Sequence, residues 1–189
     1  MGDSSKSVTV ESQVFDQREL RLVILSDTHG YLDENIAALI RTADIAIHAG
    51  DVMDALVLEQ IQPKLQTIVV AGNNDVHGLW CSKSNDYVSQ LPACARLTLQ
   101  GGDIVVEHGH RFGLSRPDHE QLRKAHPDAR LVIYGHTHKQ IIEQDRSPWI
   151  ANPGAAGMVR NHGGPRCLML HARGDDWQFE SHVFLQPAA

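Results

Sequence analysis

The chain has 189 residues, enough for one domain with a substantial core. Hydrophobic residues make up 42% of it and charged residues 21%, close to the globular norm. A formal charge of −6 and the lack of any Lys/Arg run argue against a dedicated grip on nucleic-acid phosphates, while a small nucleotide-like substrate stays open. Cys81, Cys94 and Cys167 are odd in number and scattered, neither a disulfide framework nor a C-x-x-C site, which fits a reducing cytoplasm. The opening M-G-D-S-S-K-S lacks the apolar segment of a secretory signal, and no run approaches membrane-spanning length. A soluble, cytoplasmic protein is expected.

Residues 1–19 are polar with only a weak alternation at Val8 and Val10, and read as a flexible extension or a marginal edge strand. The domain is expected over 20–189. L-R-L-V-I-L (20–25) is a short apolar run with the length of a buried strand. Ile36, Leu39, Ile40 and Ala43 recur at helical spacing after it. A-D-I-A-I-H (43–48) and T-I-V-V-A (67–71) read as strands, with a short helix over 53–62 ending before Pro63.

After a polar loop, 95–99 and 103–107 flank Gly101 and Gly102 as a hairpin. Ser115 and Pro117 read as the cap and first turn of a helix running to about His126. R-L-V-I-Y (130–134) and K-Q-I-I-E-Q (139–144) are further strands, and the segments around Gly174 and Asp175 form a closing hairpin. No repeat or linker interrupts 20–189. Early β-α alternation followed by hairpins predicts one α/β domain with mixed sheets.

Chemistry-bearing residues gather directly after the strands. The runs end in Asp27-Thr28-His29-Gly30, Gly50-Asp51, Gly72-Asn73-Asn74-Asp75, His108-Gly109-His110 and Gly135-His136-Thr137-His138. Ligands of α/β sheets sit outside the carboxyl ends of strands, and glycine gives a sharp turn and close approach there. One such piece reads as a turn or a cap; five in phase point to a shared polyvalent metal site. The donors are carboxylate, carboxamide and imidazole without sulfur, which suits Mn²⁺ first, with Fe, Zn²⁺, Co²⁺ and Ni²⁺ as alternatives. Asp27, His29, Asp51, Asn73, His108, His136 and His138 are too many ligands for one ion. Two divalent ions sharing a carboxylate would use them all.

The ordered motifs D-T-H, G-D-V, G-N-N-D, H-G-H and G-H-T-H resemble the calcineurin-like metallophosphoesterase superfamily, and the short length with N-P-G-A-A at 152–156 resembles its small bacterial and archaeal phosphodiesterase branch. The resemblance spans about residues 20–185. It implies two mixed β-sheets packed as a sandwich flanked by helices, in four layers. It also implies a phosphodiesterase whose bridging hydroxide attacks phosphorus. By motif, Asp27, His29 and His138 would hold one ion, Asn73, His108 and His136 the other, and Asp51 would bridge both. Asp75 would be an orienting carboxylate, and it is a candidate for fixing the tautomer of a ligand histidine. His48 reads as a buried structural residue. Arg111 and Arg160 are candidates for contact with substrate oxygens, with solvated arginines as the default reading. His119, His126, His162, His171 and His182 lie outside any motif and read as surface or strand residues.

The resemblance implies a small phosphodiester or nucleotide-like substrate and no membrane partner; a homo-oligomer is compatible with it. Two divalent ions, less Asp27, Asp51 and a hydroxide, leave a net charge of about +1, which balances a diester better than a monoester. The rival readings are a monoester or nucleotide phosphatase and a non-catalytic scaffold of the retromer-subunit type. Complete ligand positions favour catalysis.

Most of the superfamily has G-N-H-[DE] where this chain has Asn74, whose amide donates a hydrogen bond but delivers no proton at neutral pH. Protonation of the leaving oxygen then falls to another group, to solvent, or to a leaving group needing little help; His110 and His77 are candidates, with contact to the ligands as the other reading of His110. Turnover is expected to fall steeply as the leaving-group pKa rises across a series of aryl and alkyl diesters. A flat dependence would show that an acid is present after all.

Overall fold

The computed structural model describes residues 10–80, 85–113 and 115–185. In chain order its strands are β1 (Val10–Val14), β2 (Glu19–Leu25), β3 (Ile45–His48), β4 (Gln66–Val69), β5 (Cys94–Leu99), β6 (Gly102–Glu107), β7 (Leu131–Ile133), β8 (Gln140–Glu143), β9 (Trp149–Pro153), β10 (Arg166–Arg173) and β11 (Asp176–Val183). The helices are α1 (Glu34–Ile40), α2 (Ala55–Gln60), α3 (Asn85–Val88) and α4 (His119–Ala125). The strands form a six-stranded sheet, β1-β5-β6-β7-β9-β8, and a five-stranded sheet, β11-β10-β2-β3-β4. Both are mixed: β2, β3 and β4 run parallel while β10 lies antiparallel to β2, and β6, β7 and β9 run parallel while β5 lies antiparallel to β6 and β8 to β9.

The apolar runs are continuous rather than alternating because each central strand is covered on both faces. Leu22, Ile24, Ile45 and Ile47 point between the sheets and meet Leu97, Ile104, Val106, Leu131 and Ile133. The alternate residues Val23, Leu25 and Ala46 pack under α1 and α2 with Ile36, Ile40 and Val57. On the far side Val105, Val132 and Ile150 pack with Leu122 of α4 and with Tyr134. The result is the helix–sheet–sheet–helix sandwich expected from the sequence.

Of the two readings of residues 1–19, the described part shows the edge strand: β1 adds to the sheet edge parallel to β5 from Val10 opposite Cys94. Other details differ. The second helix is shorter than 53–62, because Asp54 caps it through its carboxylate on the Leu56 amide. The fourth helix starts at His119 rather than near Ser115. Asp118 accepts from the Glu120 and Gln121 amides, and Pro117 stays outside the first turn. Strand β9 and helix α3 were not foreseen; α3 is only one helical turn. Cys81 lies outside the described residues; Cys94 and Cys167 are buried free thiols. No helix among the described residues is long and apolar enough to cross a membrane.

His48, at the end of β3, is fully buried. Its Nδ1 accepts from the Gly50 amide at 3.2 Å, so Nε2 carries the proton and donates to Thr28 Oγ1 at 3.0 Å; Thr28 in turn donates to the Val52 carbonyl at 3.2 Å. This chain of bonds straps the loop after β2 to the loop after β3 through a neutral imidazole. Burial pushes the His48 pKa from 6.5 down to about 4. The unfolded chain therefore binds a proton that the native state refuses between those two values. Stability is expected to be full above pH 6.5 and to fall as the pH drops towards 4, by up to about 1.4 kcal/mol per pH unit. Urea midpoints of the wild type and His48→Asn from pH 7.5 to 4.5 should converge with acid; parallel curves would count against this assignment.

Candidate metal centre

The carboxyl ends of β2, β3, β4, β6 and β7 converge at one edge of the sandwich. The loop after β2 is zipped to the loop after β3 by amide bonds from Asp27 to Gly50, His29 to Asp51 and Gly30 to Val52, all 2.8–3.0 Å. The β7 loop joins through the Gly135 amide on the His108 carbonyl at 3.2 Å and the His136 amide on Asp27 Oδ2 at 3.0 Å.

Five of the seven candidate ligands sit in the left-handed region: Asp27 (φ 54°), His29 (46°), Asp51 (59°), His136 (69°) and His138 (60°). That backbone costs a non-glycine residue of order 1–3 kcal/mol and persists only where the surroundings over-determine it. Here the zipped loops hold it, and the result aims five side chains inward from short turns. Gly72 admits a close approach, since a Cβ there would lie 2.1 Å from Asp51 Oδ1.

The side chains form two adjoining groups. His138 Nε2 lies 3.3 Å from Asp27 Oδ1 and 3.1 Å from His29 Nε2. His108 Nε2 lies 3.4 Å from Asp51 Oδ2, and His136 Nδ1 lies 2.9 Å from Asn73 Oδ1. The ring of His136 is 5.3 Å from that of His108, centroid to centroid, which puts it on the His108 side. Asp51 Oδ2 is also 3.9 Å from His29 Nε2, so this oxygen lies between the groups. Asp27, Asp51 and His108 likewise cluster closely enough to share an ion. Asp27 Oδ2 accepts from the His136 amide, while Oδ1 faces the centre.

Hydrogen bonds set the imidazole tautomers. His108 Nδ1–H donates to the Ala49 carbonyl at 2.7 Å and His138 Nδ1–H to the Val159 carbonyl at 2.9 Å, so both present a bare Nε2 to the centre. Asp27 Oδ1 and His108 Nε2 are buried with no hydrogen-bond partner in the protein. Buried polar atoms are normally satisfied. An acceptor pair left bare beside further carboxylate and imidazole ligands fits a divalent cation in both chemistry and charge.

The protonation equilibria reflect the same field. Burial alone would raise the Asp51 carboxyl, but the adjacent His108 ring in its protonated form and hydrogen bonds from Asn74 outweigh it and hold the group well below the usual range. Burial would lower His108, yet the Asp51 carboxylate beside Nε2, which a protonated ring would meet, and the charge of Asp27 hold it above its ordinary value. Carboxylates that favour a proton on this ring favour a metal cation equally well. Burial dominates at His29 and His110 and lowers both.

Asp75 orients a loop rather than an imidazole. Its Oδ2 accepts from the Gly72 and Asp51 amides at 2.8 Å, and its Oδ1 from the Val52 and Met53 amides and the Trp80 indole at 3.0 Å. Asn74 is bound to Asp51, its amide N–H on Oδ1 at 2.8 Å and its Nδ2 on Oδ2 at 2.7 Å. His110 is half-buried on a short 3-10 turn, its ring 5.6 Å from that of His108 and 6.2 Å from that of His136. His77 is exposed.

Sequence reasoning missed several supports. Asn152 at the end of β9 is fully buried and donates to the Gly135 carbonyl at 2.7 Å and to Thr137 Oγ1 at 3.1 Å, fixing the turn between the two histidines. Its N-P-G setting signalled a turn, and nothing in the pattern showed which turn it held. His119, read as a surface residue, bonds Tyr134 Oη at 2.8 Å and Glu143 at 2.9 Å behind that same turn. Arg111 is tied to buried Glu107 at 2.6 and 3.2 Å.

A sandwich with this centre at its strand ends defines a metal-dependent hydrolase of the phosphoesterase type. The calcineurin-like phosphoesterase superfamily domain matches residues 20–175, and the chain belongs to that family. A probable metallophosphoesterase of Mycoplasma pneumoniae is 30% identical over 148 residues, covering 75% of this chain and 82% of that protein. A phosphodiesterase of Methanocaldococcus jannaschii is 25% identical over 148 residues, covering 71% and 83%. Among solved structures, Vps29 of Entamoeba histolytica complexed with zinc superposes with a TM-score of 0.65 at 16% identity, over 87% of this chain and 99% of that one. The family places this chain among hydrolases acting on phosphoric esters.

Replacing Asp75 by Ala leaves four amides and an indole without their acceptor. The expected loss of stability exceeds about 3 kcal/mol, read as a lower urea midpoint, with metal uptake reduced as the Asp51 loop loosens. An unchanged midpoint would deny Asp75 this role.

Proposed function

We propose that the chain hydrolyses a small phosphodiester at a centre of two divalent metal ions, Mn²⁺ foremost. The observation that carries this reading is the convergence of seven ligand-competent side chains around two buried, unpartnered acceptors, Asp27 Oδ1 and His108 Nε2. Asp27, His29 and His138 are assigned to one ion, Asn73, His108 and His136 to the other, and Asp51 to both. The lone Asp51 oxygen between the groups supports that division. When bound, the ions supply positive charge against the phosphoryl oxygens and acidify the water that attacks phosphorus.

The remaining work belongs to the chain. Ala49 and Val159 hold the two imidazoles with their lone pairs inward. Asn74 holds the Asp51 carboxylate and brings no proton for the leaving oxygen. His110 packs a half-buried imidazole against His108 and His136 and restrains both rings. A complete ligand set separates this reading from a scaffold role, and the oxygen and nitrogen donors suit Mn²⁺ without excluding Fe, Zn²⁺, Co²⁺ or Ni²⁺. The free thiols of Cys94 and Cys167 agree with a reducing, cytoplasmic setting.

Asp51→Asn is the decisive variant. It is expected to keep its far-UV circular dichroism, to lose metal measured by elemental analysis, and to lose phosphodiesterase activity by about 100-fold or more. Full activity in that variant would refute a centre built on Asp51. Chelation followed by add-back of each ion should restore the wild type best with Mn²⁺.

A further inference from the structure

Two arginines lie near the centre, and their partners differ in kind. Arg111 is neutralised by Glu107, whose carboxylate it grips with both Nε and Nη2. Arg160 instead directs Nη2 to His138 Nε2 at 3.3 Å. His138 Nδ1–H is committed to the Val159 carbonyl, so the guanidinium donates to the same lone pair that faces Asp27 Oδ1 at 3.3 Å. A guanidinium has five donors and no acceptor, and cannot itself be a metal ligand. Once a cation takes that lone pair, two positive groups face each other and the arginine needs an anion.

The loop between β9 and β10 is built to hold Arg160 there. The Ala156 amide donates to the Ser26 carbonyl at 2.8 Å, one residue before Asp27. Gly157 packs so closely that a Cβ would lie 2.1 Å from the Thr28 carbonyl oxygen. Asn161 closes the loop internally, donating to the Gly157 carbonyl at 3.2 Å and accepting from the Gly164 amide at 3.1 Å. Arg160 itself adopts φ 50°, although Asn161 and two glycines stand close by in the same loop. A long cationic side chain in the left-handed region is strained. Arg160 is exposed, yet its Nη2 is turned to His138 at the candidate centre.

We infer that Arg160 binds the phosphoryl group of the substrate, pairing its guanidinium with non-bridging oxygens; this rests on the two-metal reading above. Arginine offers a planar fork that matches phosphate oxygens in a way a lysine does not. The charge count gains meaning with it. A diester carries one negative charge, and attack by hydroxide adds a second before the leaving group departs. The centre's net charge of about +1 already counts the hydroxide, so Arg160 adds one positive charge that a diester leaves uncancelled and a doubly charged phosphate would meet. The monoester product and inorganic phosphate share the charge, so they should bind well and inhibit.

The test uses inorganic phosphate as the probe. Wild type, Arg160→Asn and Arg160→Lys are loaded with Mn²⁺, their metal content is measured, and phosphate binding is followed by calorimetry. Asparagine suits the left-handed backbone, so the first variant removes the guanidinium without adding strain. Both variants should keep wild-type metal content. Phosphate affinity should fall about 10–100-fold in Arg160→Asn and less in Arg160→Lys, with kcat/KM for a diester falling in the same order. Wild-type phosphate affinity in a fully metallated Arg160→Asn would overturn the inference while leaving the metal centre standing. Loss of metal in that variant would also overturn it, by making Arg160 a support for His138. A wild type that takes up no metal would overturn the two-metal reading and this inference together.

Discussion

One carboxylate organises the centre without belonging to its ligands. Asp75 gathers the amides of Gly72, Asp51, Val52 and Met53 and the indole of Trp80 onto two oxygens. Those amides come from loops after two different strands, β3 and β4. Without an anion between them, the donors would repel and the Asp51 loop would have no reason to turn back. With it, Asp51 takes a left-handed backbone and presents its carboxylate between His29 and His108. The neighbouring loops then follow by amide bonds from Asp27, His29 and Gly30.

The sandwich supplies the frame for this arrangement. Double-sided burial fixes the direction and height of β2, β3, β6 and β7, so their ends are set within a small region before any loop is considered. Strain concentrated in Asp27, His29, Asp51, His136 and His138 is carried by that frame. Stiff, over-determined turns present the candidate ligands ready placed, so a metal bound there would avoid the cost of ordering them.

Much of this was legible in the chain. The apolar runs marked β2, β3, β4, β6 and β7, because strands buried on both faces need continuous hydrophobicity. The Asp, Asn and His residues after them stood out because glycines accompany them at close approaches. Other features were not legible, for physical reasons. The left-handed backbone of five ligands depends on bonds between loops distant in sequence. Asp118 displaced Ser115 as the cap of α4 because only its carboxylate meets the Glu120 and Gln121 amides. Arg111 and Arg160 look alike in sequence; a buried glutamate claims one, and a strained loop delivers the other to His138.

The loop between β9 and β10 also ties the centre to the order of synthesis. His138 takes its orientation from the Val159 carbonyl, twenty-one residues later in the chain. Strand β2, which carries Asp27 and His29 at its end, finds its antiparallel neighbour only in β10. A ribosome-bound chain that has completed the Y-G-H-T-H motif therefore still lacks the bond that aims one of its histidines and the strand that seats its first two ligands. The arrangement of the candidate centre thus depends on β10 and the loop before it as well as on the Y-G-H-T-H turn.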